Sequence, residues 1–216
     1  MPEDQLDSTL GLREQNRLER RARIREAARD VFCLRGYVQA TTREIAARAR
    51  VANGTLFRYA TDKRELLFMV INDDLDGLHS APDRMPSGDL CRMIVQFYRP
   101  RYEYFAKYPR LSRPFVNESF NFMEVPEDEV GRELRQNRAR RARVIAALAD
   151  LLDANKRGGR PSRLAAPLVH AIYLSACREW LEAPTPDPKE GLKRLESLLR
   201  LAATGFAPED SGKKKP

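Results

Sequence analysis

From Asn16 to Arg35 the apolar residues Ile24, Ala27, Ala28, Val31 and Phe32 recur at helical spacing. They draw one stripe along an amphipathic helix, and Gly36 stands where a C-terminal cap belongs. The pattern then shortens. Thr41-Thr42-Arg43-Glu44 is a capping box, in which the Thr41 hydroxyl accepts from the Glu44 N–H while the Glu44 side chain reaches back. Ile45, Ala46 and Ala49 give a two-turn helix its buried side. A second short helix is expected from about Ala52 to Ala60, with Leu56 and Ala60 turned inward. Asp62-Lys63-Arg64-Glu65 repeats the capping-box pattern and opens a longer helix with Leu67, Val70, Ile71 and Leu78 on one side.

Beyond residue 80 the pattern stays helical. A stripe runs through Leu90, Ile94, Phe97, Tyr98, Arg101, Tyr102 and Phe105, with a kink expected at Pro100. Pro109 opens a short aromatic helix through about Phe122 that Pro114 should interrupt. A long helix is expected from near Pro126, its first turn acidic (Glu127, Asp128, Glu129) and its end basic (Lys156, Arg157), as the helix dipole favours. Gly158-Gly159-Arg160-Pro161 reads as a turn, and two last helices follow over about 163–183 and 188–206. No strand-like alternation appears, so the fold class is all-α. The expected division is a tail over 1–12, a first domain over 13–62, a larger helical body over 63–207 and a tail over 208–216.

Charge sharpens this picture. The 216 residues carry a net charge of +8, and residues 13–64 hold 14 Lys/Arg against 6 Asp/Glu, so the remainder is balanced. A basic module in a neutral chain suits a polyanionic partner, or else a solvated helix face. The longest apolar runs are far too short to span a membrane, and the polar opening MPEDQLDSTLGLREQ has no leader-like core. Three widely spaced cysteines give no disulfide framework and suit a reducing cytoplasm.

Two short helices joined by a tight turn form a helix-turn-helix. With Leu56 and Ala60 inward, 100° per residue turns Gly54 and Arg58 outward, flanked by Thr55 and Phe57. That side is small at its start, so backbone can approach a duplex closely. Thr42, Arg43 and Lys63 sit at helix starts, where phosphates would lie.

These residues resemble the tetracycline-repressor (TetR) family of bacterial regulators. The matching pattern is Gly36-Tyr37, Thr41-Thr42, Ile45-Ala46, Ala49, Val51, Gly54 to Tyr59, Lys63 and Glu65-Leu66-Leu67, within roughly residues 15–68. The resemblance implies a three-helix DNA-binding head, a helical body that binds a small-molecule effector and forms a homodimer, and repression relieved by that effector. It also implies that Asn53, Gly54, Thr55 and Arg58 face the groove. Thr42, Phe57, Tyr59 and Lys63 would contact phosphate, and Arg43 either. Three positions depart from the family pattern: Arg50 replaces the usual Gly, Ala52 replaces a capping Ser or Thr, and Phe57 replaces a Tyr. Tyr37 and Tyr59 could equally just pack the head. Arg17, Arg20, Arg21 and Arg23 either reach a minor groove or are merely solvated.

In the body, aromatic stripes are core by default. Proline interruptions among them would leave gaps, and the resemblance places a mainly apolar effector among Phe97, Tyr98, Phe105, Phe120, Met123 and Tyr173. His170 is expected as a hydrogen-bonded core histidine. Leu164, Leu168, Ile172, Leu195, Leu198, Leu199 and Ala202 exceed what one helix side needs and are expected at a four-helix dimer interface. The arginines from Arg132 to Arg143 are either a solvated face or a second anion site. Three functions compete: a homodimeric repressor on double-stranded DNA, a sequence-independent nucleic-acid binder, and an enzyme. The last lacks support, since no metal-spaced Cys/His cluster, nucleophile elbow or phosphate loop appears. No cofactor is expected.

Overall fold

A computed structural model describes residues 11–78, 89–121, 131–154 and 162–204. Among them the regular elements are all helices: α1 (Leu12–Arg35), α2 (Thr42–Arg48), α3 (Asn53–Leu56), α4 (Lys63–Gly77), α5 (Leu90–Lys107), α6 (Pro109–Asn121), α7 (Arg132–Ala154), α8 (Ser162–Trp180) and α9 (Pro188–Thr204). The all-α expectation holds. Met123, Glu127, Asp128 and Glu129 lie outside the described residues. Contacts divide the chain into two compact units. One gathers α1 to α4, α6 and α7 as far as Arg143; the other gathers α5 up to Ala106, α7 from Val144, α8 and α9. This grouping cuts across the expected boundary at residue 62, because α4 packs with α1 and α6.

In the first unit α1 buries Ile24, Ala27, Ala28, Val31 and Phe32, the stripe read from sequence. α4 departs from the one-sided expectation. Every residue from Glu65 to Asn72 is buried. A helix wrapped on all sides needs apolar residues all round, which Leu66-Leu67-Phe68-Met69-Val70-Ile71 provides. The two polar residues that bracket this run are bonded. The Glu65 carboxylate accepts from the backbone N–H groups of Glu133 (3.1 Å) and Leu134 (3.0 Å), capping α7. It does not complete the expected capping box; only the Asp62 half forms, accepting from the Glu65 N–H at 2.7 Å. The Asn72 amide donates to the Glu133 carbonyl at 2.7 Å.

The second half of α4 is acidic, and arginines from two helices meet it. Arg21 and Arg25 bind Asp73 at 2.8 and 2.9 Å, and Arg29 grips both Asp74 oxygens at 2.8 and 2.6 Å. Arg21 also donates to Glu133 at 3.0 Å. Arg140 is only 3% exposed and donates to the Asn72 carbonyl (2.8 Å), the Asn72 side chain and Asp76 (2.9 Å). The run Arg132–Arg143 is therefore not uniformly solvated. Burial pushes the Asp73 carboxyl up, but Arg21 and Arg25 outweigh it and hold it below its usual value. Asp76 is likewise held low by Arg140 against the effect of burial.

In the second unit α8 packs on α9, and the Trp180 indole N–H donates to the Asp187 carbonyl at 2.8 Å across their turn. Tyr98 stacks on Tyr173 with ring centroids 3.8 Å apart and planes 9° from parallel. α5 runs on through Pro100, and α6 runs unbroken through Pro114, correcting the interruption expected there. Buried Tyr98, Arg101 and Tyr102 on α5, and Phe115 and Val116 on α6, hold these stretches helical despite the lost N–H. A Cβ on Gly191 would lie 2.6 Å from the Tyr102 ring and 2.9 Å from the Trp180 ring. Gly191→Ala is expected to lower stability by about 1–3 kcal/mol, because buried ring atoms have no room to yield. Urea denaturation measures it.

Two expected interface residues are corrected. Leu195 (0% exposed) and Leu199 (4%) are buried within the second unit of a single chain. The apolar excess on α9 serves its contact with this unit's core. By contrast Leu164 is 74% exposed, Leu168 58%, and Ala202 is exposed; Ile172 and Leu198 are half-buried.

Candidate nucleic-acid interface

Thr41 caps α2 by accepting from the Glu44 N–H at 3.2 Å. The Glu44 carboxylate bonds Arg35 instead of reaching back, so the box is half made. Ile45, Ala46, Ala49, Leu56 and Ala60 are buried together under the two short helices. The second is shorter than expected: α3 covers Asn53–Leu56 and continues as turns through Tyr59. Four residues cannot hold a helix alone, so burial of Leu56 fixes its direction.

Arg50 adopts φ 54°, the left-handed conformation that a glycine would take without strain. The turn therefore keeps its shape, and its strained residue is an arginine with an exposed side chain. Ala52 has N-cap dihedrals (φ −66°, ψ 146°) but supplies no side-chain acceptor. Ala52→Ser is expected to add about 1 kcal/mol by bonding an orphan N–H of α3. Thermal denaturation reads that gain, and an unchanged melting point would mean α3 is already satisfied.

Asn53, Gly54 and Arg58 are exposed, Phe57 is 42% exposed, and Thr55 and Tyr59 are half-buried. Gly54 is informative: a Cβ there would meet nothing of this chain within 4 Å. The fold does not itself require glycine at this place. Its smallness leaves the backbone bare toward something outside the chain. Arg43 is exposed and Thr42 half-buried at the start of α2. Lys63 has a job that the sequence did not reveal. Its ammonium donates to the carbonyls of Val38 (3.0 Å) and Ala40 (3.2 Å) and lies 4.8 Å from the Tyr37 ring centroid. It pins the α1–α2 turn, where Tyr37 also packs on Phe32.

The described residues of the expected effector pocket are divided between the two units. Tyr98, Tyr173 and Phe105 are buried in the second unit, with Phe97 edge-on to Tyr98. Phe120 is half-buried in the first unit, and Met123 is outside the described residues. His170 Nδ1 lies 2.9 Å from the Tyr98 hydroxyl, as a bonded core histidine should. Burial pushes the Cys177 thiol up to about 12, so it stays protonated on the same helix. Among the described residues no group of three or more His, Cys, Asp or Glu is placed to hold a metal ion, and no helix is long and apolar enough to cross a membrane.

The profile of the bacterial regulatory proteins of the tetR family matches residues 24–70, from the α1 stripe through α3 into the buried run of α4. That stretch is thus similar to the DNA-binding segment of tetR-family regulators. It is 38% identical over 70 residues to the HTH-type transcriptional regulator HbdR of Aromatoleum sp. (strain CIB), covering 32% of this chain. That match spans about a third (31%) of HbdR. The likeness in fold reaches well beyond residues 24–70. Thermus thermophilus FadR, a TetR family transcriptional repressor solved in complex with lauroyl-CoA, superposes with a TM-score of 0.63. The two share 23% identity over 91% of this chain and 100% of that one. Bacillus subtilis FadR, solved in complex with stearoyl-CoA, gives 0.55 at 17% identity over 86% of this chain and 99% of that one. These likenesses establish the fold.

Proposed function

We propose that this chain is a homodimeric repressor of the TetR family that binds a near-palindromic operator and is released by a small, mainly apolar effector. Bare Gly54 carries the reading. A recognition segment anchored by Leu56 exposes a glycine that its own fold does not need, beside Asn53, Thr55 and Arg58. Arg43, Thr42, Phe57 and Tyr59 flank it as phosphate neighbours. Lys63 acts at one remove, by holding the α1–α2 turn in place. The exposed apolar face of Leu164, Leu168 and Ala202 supports pairing through α8 and α9 about a two-fold axis. Two heads then require half-sites about 34–36 Å apart, or a multiple of that. Effector binding would favour a spacing that fits DNA poorly, a coupling of about 1–3 kcal/mol. A long acyl chain is the first apolar group to test, since both FadR structures hold an acyl-CoA.

Selection from a random duplex pool tests the reading. A palindromic consensus is expected, and binding without sequence choice would replace this reading with that of a general nucleic-acid binder. On the selected duplex Arg58→Ala is expected to lose about 1–3 kcal/mol and relax specificity at one position per half-site. Anisotropy titration measures it, and parental affinity would remove Arg58 from the groove.

A further inference from the structure

A cleft of about 410 Å³ in the first unit has no role in the account above. Arg13, Arg17 and Arg20 on the first turns of α1 form one wall, Arg58 and Tyr59 form the other, and Arg132 at the start of α7 completes the lining. Arg17 is committed to Glu14. Arg13, Arg20, Arg58 and Arg132 make no ion pair among the described residues. Arg21, which also lines the cleft, is paired with Asp73 and Glu133, and away from the cleft Arg25, Arg29 and Arg140 are paired as well. Glu14 acts on Arg132 electrostatically and Glu65 also lines the cleft, but Arg13, Arg17, Arg20, Arg21, Arg58 and Arg132 outnumber these carboxyl groups, so the concavity favours an added anion.

We propose that this cleft takes phosphates of the DNA strand just outside each half-site, and so extends the footprint beyond the bases read by α3. The inference rests on the recognition segment assigned above. A DNA strand is favoured over a free polyphosphate because Thr55, Phe57 and Arg58 line both the cleft and the candidate groove face. A backbone that leaves Arg58 has Arg13, Arg20 and Arg132 next along its path. Such contacts add affinity and register but no base choice.

The test uses the full chain and its selected operator, either trimmed at the half-site ends or extended by flanking base pairs. Affinity is followed by anisotropy across a salt series. The triple variant R13Q/R20Q/R132Q is expected to bind the extended duplex at least tenfold more weakly. Its slope of log affinity against log salt should be shallower by about 2.7, roughly 0.9 for each phosphate lost. The trimmed duplex should bind parent and variant alike, and the corresponding lysine triple should keep most of the slope. R13Q/R132Q, which touches only exposed side chains, should show about two thirds of the slope change, so a folding defect cannot imitate the result. A parental slope on the extended duplex, or an equal loss on the trimmed one, overturns the proposal. So does saturable binding of inorganic triphosphate that the triple variant loses while flanks make no difference. If the parent selects no operator at all, the proposed function fails first.

Discussion

Arg140→Ala is expected to lower stability by about 3–5 kcal/mol, the usual effect of removing one member of a buried charged cluster. The guanidinium is only 3% exposed and satisfies both the carbonyl and the side-chain oxygen of Asn72, itself fully buried. Without it, Asn72 keeps only the longer bond from Asn137 (3.3 Å) as a donor to its side-chain oxygen, and Asp76 loses its closest cation. Asp76 is 41% exposed, so most of the loss comes from Asn72. Arg140→Met separates the terms by keeping the aliphatic stem while removing the charge. Urea denaturation should place it between the parent and the alanine variant. A loss below about 1 kcal/mol for Arg140→Ala would mean that Arg140 contributes little to holding α4 against α7.

Glu65→Leu is expected to cost about 3 kcal/mol, since it strands the N–H groups of Glu133 and Leu134 at a buried helix start, each at about 1–3 kcal/mol. Gly131 reflects the same closeness: a Cβ there would overlap the Glu65 carboxylate. A pH signature accompanies the cap. Burial pushes the Glu65 carboxyl above its usual 4.5, outweighing the two N–H donors. The folded chain therefore holds this proton more tightly than the unfolded one. The resulting stabilisation is complete below pH 4.5 and is lost as pH rises through the raised value. Asp73 and Asp76 act in the opposite sense. Their carboxyls are held below 3.8, so their contribution is present above that value and fades on further acidification. From about pH 7 to pH 5, the parent should gain stability relative to Glu65→Gln. Parallel denaturation curves at the two pH values would refute a raised carboxyl.

Local chemistry was legible in the sequence where its causes are local. The α1 stripe, the Thr41 cap, the inward pair Leu56 and Ala60 and the strained Arg50 all depend on neighbours a few residues away. Lys63 was only half legible: its helix start was clear, but the carbonyls it binds lie 23 and 25 residues earlier in the chain. Helical period marks a buried side without naming what covers it. That is why α4 read as one-sided and why Leu195 and Leu199 read as surface for a partner. One sign was available for the charged cluster. Arg21, Arg25 and Arg29 recur every four residues, and Asp73, Asp74 and Asp76 crowd one turn. Opposite charges patterned on two helices ask to be paired. Arg140, the arginine buried in the first unit, had no such mark among its neighbours.

The interior placement of Leu195 and Leu199 has a genetic consequence. Each chain closes that part of its core by itself, so the proposed pair, joined through Leu164 and Leu168, would be able to exchange members after synthesis. A copy with a damaged head would then combine with intact copies and spoil their grip on a two-sided operator. Co-expressed with the parent, Arg58→Ala should behave as a dominant-negative allele.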